Sequence, residues 1–344
     1  MTSARTSEAV VAVDVGGTTV KGLLRVGGVV VDRATLPTFG TAASMTGTAS
    51  AVPGAAAPPP GRAFGTVIAV IDRLVASARE SGNPIVGIGL CTPGVVDPAA
   101  GRIVVAVNLG WEDLPIVDLL RDRYDVPVAV DHDARAAARA EIAARAAAGR
   151  TANNLVFIPI GTGVSASLVV EGRLVHGAAG GAGELGHVSV RPGGEPCTCG
   201  QRGCVEAYAS ASSIRRRYRA AGGTVDGGTE EILSVVDSDP IATSVWAEAV
   251  DALGAGIAAL AALLDPSVVV IGGGLGEAGE QLLVPLRAAV AERLVWRGAP
   301  RIEQSLAGAG AGLEGAALLA ETAAGGSPVR SVQAVNAVQP RRIP

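Results

Sequence analysis

The sequence predicts an α/β protein of two domains, and three observations carry that expectation. Its 344 residues are 49% apolar, a length and content that suit two cores of ordinary size. Segments with strand patterning alternate along the chain with segments of helical spacing. A strand, a glycine turn and a second strand open the chain and recur midway through it. Aromatics are only 3% of the residues, so both cores must be built from Ala, Val, Leu and Ile, which pack closely and suit helix against sheet.

In chain order, residues 10–13 are an apolar run ending at Asp14. Val15-Gly16-Gly17-Thr18-Thr19 then makes a turn, residues 20–24 resume the strand pattern, and Gly27-Gly28 marks a hairpin. The stretch from Thr38 to Gly65 is mostly Ala, Gly, Ser, Thr and Pro. It holds too little apolar surface to order itself and reads as a flexible insertion over about 39–65. Helical spacing follows over 66–80, a buried strand over 85–90, another strand over 126–130, and an Ala-rich helix over 134–148. The opening layout then returns: a strand at 155–160 runs into Gly161-Thr162-Gly163, resumes over 164–170 and turns at Gly172. A helix over 243–264, a strand over 268–271 entering Gly272-Gly273-Gly274, and a last helix over 313–321 complete the plan, with a loose tail over 325–344.

Several function classes are excluded by composition. A net charge of −4, with Lys21 the one lysine among the basic residues, leaves no electrostatic footprint for nucleic acid. Residues 1–9 mix Arg5 and Glu8 ahead of a short strand and lack the long apolar segment of an export signal. Even the apolar stretch 247–264 carries Glu248 and Asp251, so no membrane span is expected. Three of the four cysteines fall between positions 197 and 204, a spacing that suits a metal site in a reducing compartment better than a disulfide framework. The expectation is a cytoplasmic protein.

The residues that carry chemistry fall into two sets. Backbone amides in a glycine turn approach phosphate oxygens closely, and Thr18 and Thr19 add hydroxyl donors. One Gly-Gly pair after a strand is more often a plain hairpin, but Gly161-Thr162-Gly163 repeats the pattern of Gly16-Gly17. Two such turns could clamp one triphosphate. Asp14 is placed to hold the hydrated Mg2+ that accompanies ATP, although an Asp there also initiates turns. The denser set is Gly183-Glu184-Leu185-Gly186-His187 followed by Cys197-Thr198-Cys199 and Gly203-Cys204-Val205-Glu206. His187, Cys197, Cys199 and Cys204 complete a closed tetrahedral zinc shell, which leaves no place for a reactive water and so reads as structural Zn2+. Cys91, in an apolar strand, reads as core, and His176 has no ligand type beside it.

Together, Asp14-Val15-Gly16-Gly17-Thr18, the Gly-Glu-x-Gly-His run and the Cys-x-Cys-Gly-x-x-Gly-Cys-x-Glu run resemble the ROK family of repressors, open reading frames and sugar kinases, over about residues 10–321. That resemblance implies a two-lobed actin-like ATPase (ribonuclease H-like) α/β fold with the active site in the cleft between the lobes and a zinc-binding loop. An N-terminal lobe of 1–132 would be completed by the C-terminal helix 311–323, and 133–310 would form the second lobe. The family's catalytic base falls on Asp133, a position where helix amides keep a carboxylate ionised, though an Asp there is also a good helix cap. Glu184, His187 and Glu206 resemble the family's sugar contacts, with His187 also binding zinc. Asn108 and the Thr92-Pro93-Gly94 turn resemble cleft contacts, and Gly272-Gly273-Gly274 the adenosine-side turn. His132 stands where most kinases of the family have Asn, as in some repressors.

The activity the resemblance implies is phosphorylation of a hexose by ATP, with glucose first because the glucokinases share the Glu184, His187 and Glu206 set. The alternatives are an N-acylhexosamine kinase and a catalytically weak sugar sensor. Family repressors carry a DNA-binding segment ahead of the first turn, and thirteen residues precede Asp14, so no nucleic acid partner is expected. A homo-oligomer, dimer or tetramer, is.

Overall fold

Strands β1 (Ala9–Val15) and β4 (Ile85–Thr92) read as nearly unbroken apolar runs because both their faces are covered. In the computed structural model, which describes residues 7–39, 61–150 and 153–325, they lie at the centre of a five-stranded sheet. Its other members are β2 (Thr19–Val26), β3 (Val29–Pro37) and β8 (Val128–His132), in the order β3-β2-β1-β4-β8. The first three strands are antiparallel neighbours, and β4 and β8 join in parallel. Helix α1 (Arg62–Glu80) covers one face with Val67, Val70, Ile71, Leu74 and Ala78, a stripe at helical spacing. Each of its large aliphatic side chains contributes about 1.5–3 kcal/mol on full burial. A small sheet of β5 (Val95–Asp97), β6 (Arg102–Ala106) and β7 (Trp111–Leu114) and helix α2 (Ile116–Tyr124) fill the step between β4 and β8.

Helix α3 (Asp133–Ala147) leaves β8 directly, without a loop. The second sheet repeats the first. Strands β9 (Leu155–Pro159), β10 (Ser167–Val170), β11 (Arg173–Leu174), β12 (Val268–Gly272) and β13 (Arg301–Gln304) order as β11-β10-β9-β12-β13, again three antiparallel strands and then two parallel ones. Between β11 and β13 the chain forms α4 (Glu206–Ala209), α5 (Ala211–Ala220), α6 (Thr229–Leu233), α7 (Pro240–Leu264), α8 (Gly273–Gly276) and α9 (Glu280–Arg293). Asp239 caps α7 by accepting from the Ile241 and Ala242 amides, with Pro240 in the first turn. Length and composition alone would let α7 cross a membrane. Here half of its apolar stretch is buried, and Glu248 and Asp251 on it pair with Arg191, Arg217 and Arg293. The last helix, α10 (Ala311–Ala323), returns to the first sheet and packs on β1, β4 and α3. Small residues make that approach possible: a Cβ on Gly315 would collide with the Ala136 carbonyl.

Several boundaries differ from the sequence expectation. Residues 62–65, read as the end of a flexible insertion, are the first turn of α1, and Thr38 at its start is buried and bonded to the first glycine turn. The remainder of that insertion, 40–60, and the tail from 326 lie outside the described residues. The strand expected at 126–130 runs instead from Val128 to His132, because Pro127 has no N–H to donate and its carbonyl accepts from Ile88. Residues 164–166 do not continue β10. The Ala166 amide donates to the Gly183 carbonyl at 2.7 Å, so this backbone is spent on the segment that leads to Glu184.

Candidate active site and metal cluster

Both glycine turns occupy the same place in their sheets, at the end of the first strand of an antiparallel pair. In the first, the Gly16 amide donates to Thr19 O at 2.9 Å, and the Thr38 hydroxyl donates to Gly16 O at 2.6 Å. In the second, the Gly161 amide donates to Gly163 O at 3.0 Å. Gly272-Gly273-Gly274 adjoins this second turn, since the Ile160 amide donates to Gly272 O and the Leu275 amide to Ile160 O. The sequence also gave no sign that α5 begins here, with the Ala211 amide on Gly161 O and the Ser212 hydroxyl on Thr162 O at 2.6 Å.

Each turn has an expected sugar residue against it. Asn108 lies in a 3₁₀ turn between β6 and β7, with Nδ2 3.3 Å from where a Cβ on Gly17 would stand. Glu206 opens α4, and its Oε2 accepts the Val164 amide at 2.9 Å and fills the space beside Gly163. Gly94 makes the turn from β4 to β5 with φ 97°, a region open to glycine.

Asp14 and Asp133 share a neighbourhood. Burial, with the nearby Asp133 charge second, pushes the Asp14 carboxyl above the ordinary Asp range. Asp14 is opposite Lys21 on one neighbouring strand and Cys91 on the other. Cys91 is core, as its apolar strand implied, but it also has a polar role: Sγ lies 3.4 Å from Asp14 Oδ1 and 3.4 Å from Gly312 O. Gly312, in the first turn of α10, brings that helix within 3.1 Å of Asp14 Oδ2, measured from where its Cβ would be. Neither contact was legible in the sequence, since positions 14, 91 and 312 meet only through the fold.

At the start of α3 the cap is His132 and not Asp133. His132 Nδ1 accepts the Ala134 amide at 3.2 Å, which places the proton of a neutral ring on Nε2. Asp133 Oδ1 also accepts from Ala134 N, at 2.5 Å, and lies 3.2 Å from His132 Nδ1. Beneath them Asp131 is fully buried. His176, which the sequence left without a partner, stands with Nε2 3.8 Å from Asp131 Oδ2. Burial pushes Asp131 up, but His176, Arg135 and Arg139 outweigh it and hold the carboxyl well below the usual range.

His187, Cys197, Cys199 and Cys204 converge, their ligand atoms all within 4.8 Å of one another. Tetrahedral zinc with Zn–S bonds of about 2.3 Å requires S···S edges of about 3.8 Å. Cys199 Sγ and Cys204 Sγ are 3.8 Å apart, as are Cys197 Sγ and His187 Nδ1, so the donor set fits the ion. The other imidazole nitrogen, Nε2, stands 4.0 Å from Glu184 Oε2. His187 therefore has one nitrogen on the cluster and the other on the Glu184 side.

The family model described as the ROK family matches residues 57–323. A glucokinase of Halalkalibacterium halodurans is 36% identical over 296 residues, 80% of this chain and 83% of that one. The crystal structure of a ROK family glucokinase from Streptomyces griseus, in complex with glucose and AMPPNP, is similar at a TM-score of 0.73 and 31% identity, covering 91% of this chain and 99% of that one. The xylose repressor of Bacillus subtilis is 26% identical over 229 residues, 66% of this chain and 58% of that one.

Proposed function

The chain belongs to the ROK family, and on that premise we propose that it transfers the γ-phosphoryl group of ATP to a hexose, forming glucose 6-phosphate from glucose. Its fold is the two-lobed actin-like fold of the sugar kinases it resembles. The observation that carries the reading is the placement of Asp133 at the start of α3, at the end of the sheet where Asp14, Cys91 and Asp131 lie in register on β1, β4 and β8, with a glycine turn at the same position in each sheet. The lobe division at 132/133, with α10 completing the first lobe, belongs to the same reading and is supported by the packing of α10 on β1 and β4.

In this reading Asp133 accepts the proton of the sugar hydroxyl as its oxygen bonds to the γ-phosphorus and the bond to ADP breaks. Such loose transfer asks mainly for positioning and a modest base. The amides of Gly16, Gly17, Gly161 and Gly163 and the hydroxyls of Thr18, Thr19 and Thr162 hold phosphate oxygens, while the Gly272 to Gly274 turn lies against the nucleoside. Asp14, which burial pushes above the ordinary Asp range, would hold the magnesium of the nucleotide, whose charge would neutralise the triphosphate. Asn108, His132, Glu184, His187 and Glu206 contact sugar hydroxyls; Gly94 lets the cleft turn close. Zinc held by His187, Cys197, Cys199 and Cys204 would supply only structure. A cytoplasmic homo-oligomer, dimer or tetramer, completes the reading.

A coupled assay of ADP release across a dozen hexoses and N-acylhexosamines tests it, with the highest kcat/KM expected on glucose. A higher value on N-acetylmannosamine or N-acetylglucosamine would replace the substrate and leave the chemistry. The likeness to a xylose repressor and the presence of His132 favour a second reading, a sugar sensor, which would bind sugar in calorimetry and release no ADP.

A further inference from the structure

Arg135 lies in the first turn of α3, on the face it shares with Ala138 and Arg139, and its side chain is 2% exposed. Its guanidinium reaches three separate segments. Nε donates to Asp131 Oδ1 at 2.6 Å, Nη1 to Gly180 O at 2.9 Å and Nη2 to Val96 O at 3.3 Å. Asp131 is the residue of β8 just ahead of His132 and Asp133. Gly180 belongs to the 175–183 segment, which runs into Glu184. Val96 is in β5, two positions beyond Gly94.

The surroundings make this junction rigid. Asp131 Oδ1 also accepts the His132 amide at 2.8 Å, and its Oδ2 faces Arg139 Nη2 at 3.3 Å and His176 Nε2 at 3.8 Å. The 175–183 segment is closed on itself by the Ala182 amide on His176 O at 3.1 Å, tied to β10 by the Val175 amide on Leu168 O, and tied to Ala166, just ahead of β10, through Gly183. Gly180 has φ 75°, and a Cβ there would stand 2.6 Å from Val96 O, so the segment presses directly on β5. A planar guanidinium with donors in a fixed fork sets three acceptors in one relative geometry, which a flexible ammonium does not.

We propose that Arg135 is a positioning residue for the sugar: it pins the segment leading to Glu184 to the small sheet and to the strand that leads into Asp133, so that the hydroxyl bound on one side meets the base on the other. This rests on the reading of Glu184 and Asp133 as sugar-facing groups. None of its three contacts involves the glycine turns assigned to the nucleotide, so its loss acts on sugar and spares ATP.

The test compares glucose and ATP KM, kcat and melting temperature in the parent, Arg135→Met, Arg135→Lys and Gly180→Ala. Arg135→Met leaves Asp131 buried with fewer partners, and a glucose KM raised by roughly tenfold or more is expected, with the ATP KM within about threefold of the parent. Arg135→Lys recovers part of the loss, since one ammonium cannot serve three acceptors. Gly180→Ala pushes the segment off Val96 while both charges stay paired, and it shifts the glucose KM in the same direction; it carries the comparison if Arg135→Met does not fold. Folded variants with an unchanged glucose KM, or with both KM values raised together, overturn the positioning role. A parent that phosphorylates no hexose overturns the kinase reading itself, and this inference with it.

Discussion

Replacing Cys199 with alanine removes the most exposed of the four cluster residues, and the structure limits how far the damage can spread. The base of the loop is held without the metal. Arg191 pairs with Glu248 at 3.1 Å and Asp251 at 2.7 Å, and the Glu195 amide donates to Tyr208 Oη at 2.8 Å. The guanidinium groups of Arg191 and Arg217 stand over the Tyr208 ring, 4.7 and 4.8 Å from its centre. Glu206 stays anchored on the Val164 amide. What the variant frees is His187, whose ring orientation depends on the cluster. Re-ordering one side chain on sugar binding costs about 0.5–1.5 kcal/mol, and a weakened hydrogen bond to the sugar about 0.5–1.5 kcal/mol more. The sum of about 1–3 kcal/mol raises the glucose Kd by roughly five- to a hundredfold without abolishing binding. The parent is expected to hold one zinc per chain by elemental analysis and Cys199→Ala less, with calorimetry reading the sugar affinity of both. A parent purified without metal, or a metal-free variant with the parent's glucose affinity, refutes the argument.

Three further outcomes are expected. Asp133→Asn keeps an oxygen for the Ala134 amide, so it should fold and bind sugar, with kcat lower by roughly a hundredfold or more through loss of the base; turnover within a few fold of the parent would reduce Asp133 to a helix-start residue. His132→Asn can cap α3 through Oδ1 while its Nδ2 donor, on the same planar amide, faces the sugar from a different position than the imidazole Nε2. Glucose efficiency should rise by roughly ten- to a hundredfold. No gain on glucose or N-acetylmannosamine would mean that His132 is matched to another substrate. Asp131 is held below its unfolded value of 3.8, so its contribution to stability is fully present above the ordinary carboxylate range and is lost as pH falls through the folded pKa. Melting temperature measured from pH 3 to 7 should therefore drop less steeply on the acid side in Asp131→Asn than in the parent; parallel curves would show that Asp131 does not contribute this way.

The parts of the site that were legible are those whose chemistry is written in consecutive residues. A strand ending at Asp14 before Gly16-Gly17-Thr18-Thr19, the Gly183 to His187 run, and three cysteines around Gly200 and Gly203 each announce a backbone shape and a ligand type within a few positions. The alternation of strands and helices was equally local, and it indicated two related halves before any sheet order was known. Errors fell at the edges of elements, at Pro127 and at residues 164–166, where a neighbouring segment decided which amides were free to pair.

Sequence alone determined the four residues that converge as a candidate metal cluster, the two glycine turns and the Asp at the head of the Ala-rich helix, because turn geometry, ligand spacing and helix starts depend on near neighbours. Tertiary structure decided which polar groups are buried together. Cys91 and Gly312 at Asp14, Thr38 at Gly16, His132 as the cap of α3, and Arg135 joining Asp131, Gly180 and Val96 are contacts between distant positions. A charged residue in an Ala-rich helix gives no hint of its distant partners until the fold encloses it. Burial makes an unpaired donor or carboxylate costly, and at these positions the fold supplies the partner.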